Sequence, residues 1–171
     1  MRNRLPPLLL LLLGTAAWDT LSAQQQPLES IDVREAAARL ATPSGRPSVV
    51  LFYATGCALS QAMFPEFASL AREYGPRGIE FLVFATDQDR PENPQRIPRY
   101  LAAHGAPFRA VHIRPWAPGD FSRAMEPLGI RIGAGWTRLL VAIRDRNGRV
   151  LAQGQGVTDL SGLRAALARG F

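Results

Sequence analysis

Cysteine is almost missing from this chain, because its 171 residues contain only one, Cys57. A single cysteine excludes an internal disulfide, so the protein must fold on its hydrophobic core alone. It also means that the chain has no second thiol for internal redox exchange. A leftover cysteine in a secreted protein indicates an intermolecular partner or a reactive thiol, whereas many free cysteines are simply small buried hydrophobic residues.

Lysine is absent, and all 20 basic residues are arginines. With 14 acidic residues the formal net charge is +6, but the arginines form no run and do not alternate with aromatic residues. Alanine, glycine and proline are frequent, so the pattern favours a coding bias over a nucleic-acid-binding surface. A glycine-rich phosphate loop and a Ser–His–Asp spacing are also missing. No cofactor, no metal and no nucleic acid is expected.

Long apolar runs occur only near the N terminus. Arg2 and Arg4 precede the apolar stretch 5–17, and a small-residue cleavage site ends at Ala23. The stretch is shorter than the roughly 20 residues that span a bilayer, and it contains two prolines, so a stable membrane span is not expected. The sequence predicts a signal peptide over residues 1–23 and a periplasmic or extracellular protein. Retention of the segment as an anchor remains the alternative.

After that segment the sequence predicts a polar linker and a short helix over 24–45, then one α/β domain over 46–171. Asp32 and Glu35 form a capping box that opens the first helix. The continuous apolar run at 48–54 is typical of a strand buried on both faces, and residues 79–87 are expected to form a second buried strand. Strands and helices then alternate and a hairpin ends the sheet, so the first strands should be parallel and the last pair antiparallel. The remaining predicted elements are a helix over 58–74 containing Pro65, a short helix over 99–105, a strand over 108–113, a helix near Asp120, a hairpin at 146–148, and a last helix capped by Thr158.

The cysteine lies where the strand at 48–54 ends and a helix begins. Unpaired backbone N–H groups and the helix dipole favour a negative charge at a helix N-terminus. Cys57 is therefore expected to be more reactive than an ordinary thiol. In a dithiol reductase a second cysteine three residues later attacks the mixed disulfide and releases the product. Here that position is Ser60.

The stretch "FYATGCALSQAMFPEF" (52–67) resembles the "FWATWCPPCRAEMPEF" pattern of the TlpA/ResA-type thioredoxin-like proteins. The likeness continues through "FLVFATD", "LAAHGAPF" and "RDRNGRVLAQGQG", and covers roughly residues 46–168. It implies a thioredoxin-like fold, with a central mixed sheet, flanking helices and a terminal hairpin plus helix. It also implies an exported relative of thiol–disulfide oxidoreductases, although fold does not fix activity.

By this resemblance Cys57 matches the attacking cysteine of the family and Pro65 the proline that kinks its first helix. Four features of the family's site are missing. Trp is replaced by Gly56, the resolving cysteine by Ser60, and a buried Asp or Asn by Leu51, while the cis-proline expected near Trp136 and Thr137 has no counterpart after Pro127. The substrate groove near Trp136 and Thr137 is therefore expected to be rebuilt.

Two functions stay open. In the first, Cys57 forms mixed disulfides with a protein client or a small thiol, and an external thiol completes turnover. In the second, catalysis is lost and the domain binds a partner near Trp136. Ser60 either supports the Cys57 thiolate by a hydrogen bond or is only a polar residue of the first turn. The other candidates are Glu80 as a proton acceptor, His104, His112, and Trp116 as part of a binding surface.

Overall fold

The architecture comes from a computed structural model. It describes residues 27–88, 95–117, 119–134, 136, 138–156 and 159–169. The predicted signal peptide, Thr137 and the predicted cap Thr158 lie outside these residues. Within them, no helix combines the length and the apolar character that crossing a membrane requires.

A six-stranded mixed sheet forms the centre of the protein, in the order β1-β4-β3-β2-β5-β6. Strand β1 pairs with β4, β4 with β3, and β3 with β2, all in parallel, while β5 is antiparallel to both β2 and β6. This confirms the predicted α/β fold with parallel first strands and an antiparallel terminal hairpin. The strands are β1 (Ser30–Ile31), β2 (Ser48–Tyr53), β3 (Glu80–Ala85), β4 (Ala110–Ile113), β5 (Leu140–Arg144) and β6 (Val150–Gln155).

Five α-helices flank the sheet in the described part of the chain. Asp32 caps the first of them, because its side chain accepts a hydrogen bond from the Glu35 N–H at 2.8 Å, as the capping box predicts. The second continues through Pro65 without ending there. The helices are α1 (Val33–Ala41), α2 (Ala58–Tyr74), α3 (Arg96–Ala103), α4 (Asp120–Met125) and α5 (Ser161–Arg169), and short 3₁₀ turns follow α2 at Gly75–Arg77 and α4 at Glu126–Leu128.

Strand β2 is the centre of the core, and all six of its residues are buried. Its side chains alternate between two hydrophobic clusters, one on each face of the sheet. Leu51 and Tyr53 pack with the residues of α2, whereas Val50 and Phe52 pack with those of α1 and α4. A strand buried on both faces explains the continuous apolar run in the sequence.

Two elements differ from the sequence prediction. Residues 30–31, expected in a linker, form β1 and pair with His112 and Ile113 of β4. Helix α3 begins at Arg96, three residues earlier than expected, and includes Pro98. A proline in the first helical turn is tolerated because its missing N–H would have no partner within the helix.

Candidate functional site

Cys57 caps the N-terminus of α2, directly after the turn that follows β2. The residue is half-buried. Its carbonyl accepts the first hydrogen bond of the helix, from the Gln61 N–H at 2.9 Å, and its own N–H donates to the Ala54 carbonyl at 3.1 Å. The cysteine therefore lies at the carboxyl end of the parallel strands, at the N-terminus of α2. Unpaired N–H groups and the helix dipole attract negative charge at a helix N-terminus in general.

Ser60 is fully buried, one helical turn after Cys57. Its hydroxyl oxygen accepts a hydrogen bond from the Ala54 N–H at 3.3 Å. The side chain thus ties the first turn of α2 to the end of β2. This local bond is the kind of role that a first-turn hydroxyl commonly has. Support of a Cys57 thiolate by Ser60 stays a prediction.

A buried polar network holds the turn that presents Cys57. The carboxylate of Asp87, 2% exposed, accepts hydrogen bonds from the Thr55 N–H at 3.0 and 3.2 Å and from the Thr55 hydroxyl. Arg96, the first residue of α3, forms an ion pair with Asp87 at 2.6 Å and donates from Nε to the Thr55 hydroxyl. Gln61 of α2 donates to the Thr55 carbonyl at 2.9 Å. Thr55 therefore joins the end of β2 to the segment after β3 and to helices α2 and α3.

Two tyrosine rings line the same region. Tyr53 stacks on Tyr100 with ring centroids 6.0 Å apart, and Phe64 packs against both. Burial, then the charges of Asp87 and Cys57, raise the pKa of Tyr100 to about 12. Burial, with the charge of Asp87, raises the pKa of Tyr53 well above its usual value. Both phenols are therefore neutral hydrogen-bond donors at physiological pH.

Positions 51 and 56 carry neither the buried Asp or Asn nor the Trp that the resemblance leads one to expect there. Leu51 is fully buried in the hydrophobic cluster under α2, and Gly56 lies exposed in the turn before Cys57. Asp87 follows β3 and Arg96 opens α3, so these charged residues reach the site from different parts of the chain. Sequence reasoning did not select them. The only available signal was an acidic residue directly after a buried parallel strand, where ligand-binding groups gather.

Trp136, predicted to bind substrate, lies on the face of the sheet opposite α2. Its indole stacks on Phe121 of α4 with centroids 4.6 Å apart, and on Trp116 at 6.2 Å. All three rings cover the cluster under α1 and α4. Its Nε1 is buried and has no hydrogen-bond partner among the residues that the structure describes. The other predicted substrate-binding residue, Thr137, lies outside the described residues, so both assignments stay predictions.

The segment before β5 is fastened by side chains of β6. Gln153 exchanges two hydrogen bonds with the backbone of Arg131, at 2.9 and 2.7 Å. Gln155 accepts a third from the Gly133 N–H at 2.6 Å. The side-chain amides of Gln153 and Gln155 thus bond to the backbone of Arg131 and Gly133 as the backbone of a neighbouring strand would. Arg131 and Gly133, in the segment before β5, are therefore tied to β6.

The remaining candidates lie away from the sulfur or serve the fold. Glu80 begins β3, at the end of the sheet opposite Cys57, where its carboxylate meets Ser44 and Arg46. His104 caps α3 and its ring contacts the Tyr100 carbonyl at 2.8 Å. His112 is buried in β4 and contacts the Ser30 hydroxyl at 3.1 Å. The described residues contain no group of three or more metal-ligating side chains.

No protein-family model matches this sequence, and no curated protein matches it. Its fold, however, matches solved structures. One is a thioredoxin-like protein in its oxidised form, with a TM-score of 0.58, 13% identity, and coverage of 78% of this chain and 81% of the other. Another is a secreted disulfide oxidoreductase of Mycobacterium tuberculosis, homologous to DsbE of E. coli, with a TM-score of 0.54, 16% identity and coverage of 77% and 85%.

A third similar structure is an uncharacterised conserved protein from Geobacillus kaustophilus, with a TM-score of 0.49 and 18% identity. The match covers 65% of this chain and only 55% of that protein's length. The likeness to the first two structures, together with the strand order and the position of α2, shows that the chain has a thioredoxin-like fold.

Proposed function

We propose that this protein exchanges thiols and disulfides through Cys57 alone. The observation that carries the proposal is the half-buried sulfur at the N-cap of α2, at the carboxyl end of the parallel strands of a thioredoxin-like sheet. The secreted disulfide oxidoreductase with the same fold supports it. Because Ser60 replaces the resolving cysteine, the internal step of a dithiol enzyme has no second thiol.

The proposed reaction is a single exchange. The Cys57 thiolate attacks one sulfur of a disulfide R–S–S–R′, the old S–S bond breaks, and a Cys57–S–S–R bond forms. The electron pair leaves with R′–S⁻, which takes a proton from water. An external thiolate R″–S⁻ then attacks the R sulfur of the mixed disulfide, so that R″–S–S–R forms, the Cys57–S bond breaks and Cys57 leaves as its thiolate. The substrates are protein clients or small disulfides, and the second thiol comes from another molecule.

The test is a stoichiometric one. The purified protein is mixed with dithiobis(nitrobenzoate), and the released thionitrobenzoate is followed by its absorbance. We expect one equivalent per chain from the wild type and from Ser60→Ala, and none from Cys57→Ser. Insulin should be reduced catalytically only when an external thiol is added. An exchange rate at Cys57 no higher than that of the unfolded chain would contradict the proposal.

The alternative function is a partner-binding module without catalysis. The observation that favours it is the segment before β5, which has no proline after Pro127, is hydrogen-bonded to Gln153 and Gln155, and carries Trp136 in an aromatic stack. In that case Cys57→Ser leaves partner binding unchanged, whereas Trp136→Ala weakens it. The same pair of variants in a pull-down from the native organism distinguishes the two functions.

We further propose that the protein is exported, as the features of residues 1–23 predict. One protein of the same fold is secreted. N-terminal sequencing of the protein purified from its native cells should begin at Gln24. A protein that begins at Met1 and remains with the membrane would instead favour the retained anchor.

A further inference from the structure

A buried ion pair lies beneath the turn that carries Cys57. Asp87 and Arg96 are joined at 2.6 Å, with side chains 2% and 19% exposed. Both bond to Thr55, which stands two residues before the cysteine. Burying a charged pair is costly, and apolar residues of similar volume often serve stability equally well. The position of this ion pair beneath the turn that carries Cys57 therefore calls for an explanation other than stability.

The pair is tied through Thr55 to the turn that carries Cys57. Burial, then the charges of Asp87 and Cys57, raise the pKa of Tyr100, so both charges lie within electrostatic reach of this phenol. A negative Asp87 therefore opposes a negative Cys57, whereas the guanidinium of Arg96 favours it.

A second observation points to the same neighbourhood. The Tyr53 hydroxyl is buried, in a side chain that is fully buried, and it has no hydrogen-bond partner among the described residues. The Tyr100 hydroxyl is also buried without such a partner, on a side chain that is only half-buried. Both lie within the electrostatic reach of Asp87. Two unsatisfied buried donors together are unusual in a core that only has to be stable, and they suit a region in which negative charge forms during a reaction.

The other titratable groups that face Asp87 or Tyr100 come from three elements, β2, α3 and β4. Both tyrosines stay neutral throughout the range in which a thiol ionises. His112 of β4 contacts the backbone carbonyl of Asp87 at 3.4 Å, and His104 at the end of α3 packs on Tyr100 with centroids 4.3 Å apart. Both histidines are kept in every variant. Differences between such variants therefore report the ion pair.

We propose that Asp87 and Arg96 are positioning residues that tune the reactivity of Cys57 in opposite directions, Asp87 restraining the thiolate and Arg96 counteracting that restraint. The pair would then supply, from β3 and α3, the buried charge that Leu51 no longer provides in β2. The inference deepens the proposed exchange and rests on Cys57 being its nucleophile. Thr55 joins the two charges to the turn, so that the sulfur is held at a fixed position relative to both.

The experiment is the pH profile of Cys57 alkylation by iodoacetamide, in which the sulfur forms a C–S bond and iodide leaves. We expect Asp87→Asn to lower the pH midpoint and Arg96→Met to raise it, each by on the order of half a pH unit for a unit charge in this partly solvated site. The double variant should return close to the wild-type midpoint. Arg96→Lys, which keeps the charge, should stay near the wild type.

The matched control is an ion pair far from the sulfur. Arg164 of α5 meets Glu73, near the end of α2 remote from Cys57, at 2.9 Å. Arg164→Met removes an ion pair that is more exposed, with side chains 44% and 36% exposed, and should leave the midpoint unchanged. Circular dichroism and thermal melting report whether each variant folds. If Asp87→Asn does not fold, the comparison of Arg96→Met with Arg96→Lys still tests the charge.

A purely structural role for the pair predicts that both single variants shift the midpoint in the same direction or leave it unchanged, and either result would overturn the proposal. Alkylation requires no disulfide, so this test is independent of the exchange assay. Opposite shifts without disulfide exchange would support the ion-pair inference and reject the proposed function. Disulfide exchange without opposite shifts would support the proposed function and reject the ion-pair inference.

Discussion

Replacing Ser60 by cysteine tests whether the missing thiol is the only defect of the site. The new sulfur would lie one helical turn from Cys57, at a spacing that suits a disulfide. The substitution exchanges one buried side chain for another of similar size, so the helix is expected to form as before. It removes the hydrogen bond that the Ser60 hydroxyl accepts from the Ala54 N–H at 3.3 Å.

The expected change in stability follows from these two effects. Closing a loop of four residues restricts the unfolded chain by about 2 kcal/mol at room temperature in the chain-entropy treatment. Losing the long hydrogen bond to Ala54 costs about 1 kcal/mol, since a thiol is a weak acceptor. The oxidised variant should therefore be more stable than the wild type by about 1 kcal/mol. The reduced variant should be less stable by about 1 kcal/mol.

Activity should nevertheless stay low. Gly56 and Leu51 still lack the family's tryptophan and buried acid, and no proline near Trp136 is available to hold an extended client. Residues that act as a unit do not restore function singly. The assay measures urea unfolding with and without reductant, the mass of the disulfide form, and the initial rate of insulin reduction beside a dithiol relative. Rates equal to those of the relative would refute the degenerate-site reasoning, and failure of the disulfide to form would refute the expected spacing of the two thiols.

Two further predictions concern stability. The phenols of Tyr53 and Tyr100 have raised pKa values in the folded protein but ionise near pH 10 when unfolded. The free energy of unfolding should therefore be at its full value below pH 10 and fall between pH 10 and about 12. Tyr53→Phe and Tyr100→Phe should each flatten that fall in urea titrations at several pH values, and an unchanged slope in both would contradict the assigned burial. Gly148 has a φ of +81°, and an added Cβ would collide with the guanidinium of Arg144, which bonds to the Leu40 and Gly148 carbonyls. Gly148→Ala should therefore lower the free energy of unfolding by about 2 kcal/mol, and a loss below about 0.5 kcal/mol would show that the hairpin adapts.

Much of the fold could be predicted from the sequence because the controlling signals are local. The buried run of β2, the Asp32 cap and the turn at Gly148 each lie within a few residues, and the structure has β2, the cap and the hairpin at those places. Strand β1 escaped prediction because two residues carry no periodicity. It exists only because Ser30 and Ile31 meet a partner strand more than 80 residues later.

The first residue of α3 was missed for a similar reason. Prolines at 91, 94 and 98 indicate a loop, yet Pro98 occupies a first-turn position where a missing N–H costs nothing. The docking of Arg96 against Asp87 and Thr55 accompanies this early start. No local pattern in the sequence shows that contact.

The candidate site likewise has some features that adjacent residues determine and others that only the fold determines. The sequence by itself determined that one thiol stands at the start of a helix with a serine one turn later, because those residues are adjacent in the chain. Only the tertiary structure decided what surrounds that thiol. Asp87 follows β3, whereas Arg96 and Tyr100 belong to α3, and they meet because parallel strands bring their carboxyl ends to one edge of the sheet. The position of Trp136 in the chain predicts a place in the substrate groove. In the structure its ring stacks on Phe121 over the hydrophobic cluster under α1 and α4, because a large aromatic ring packs where apolar surface is available.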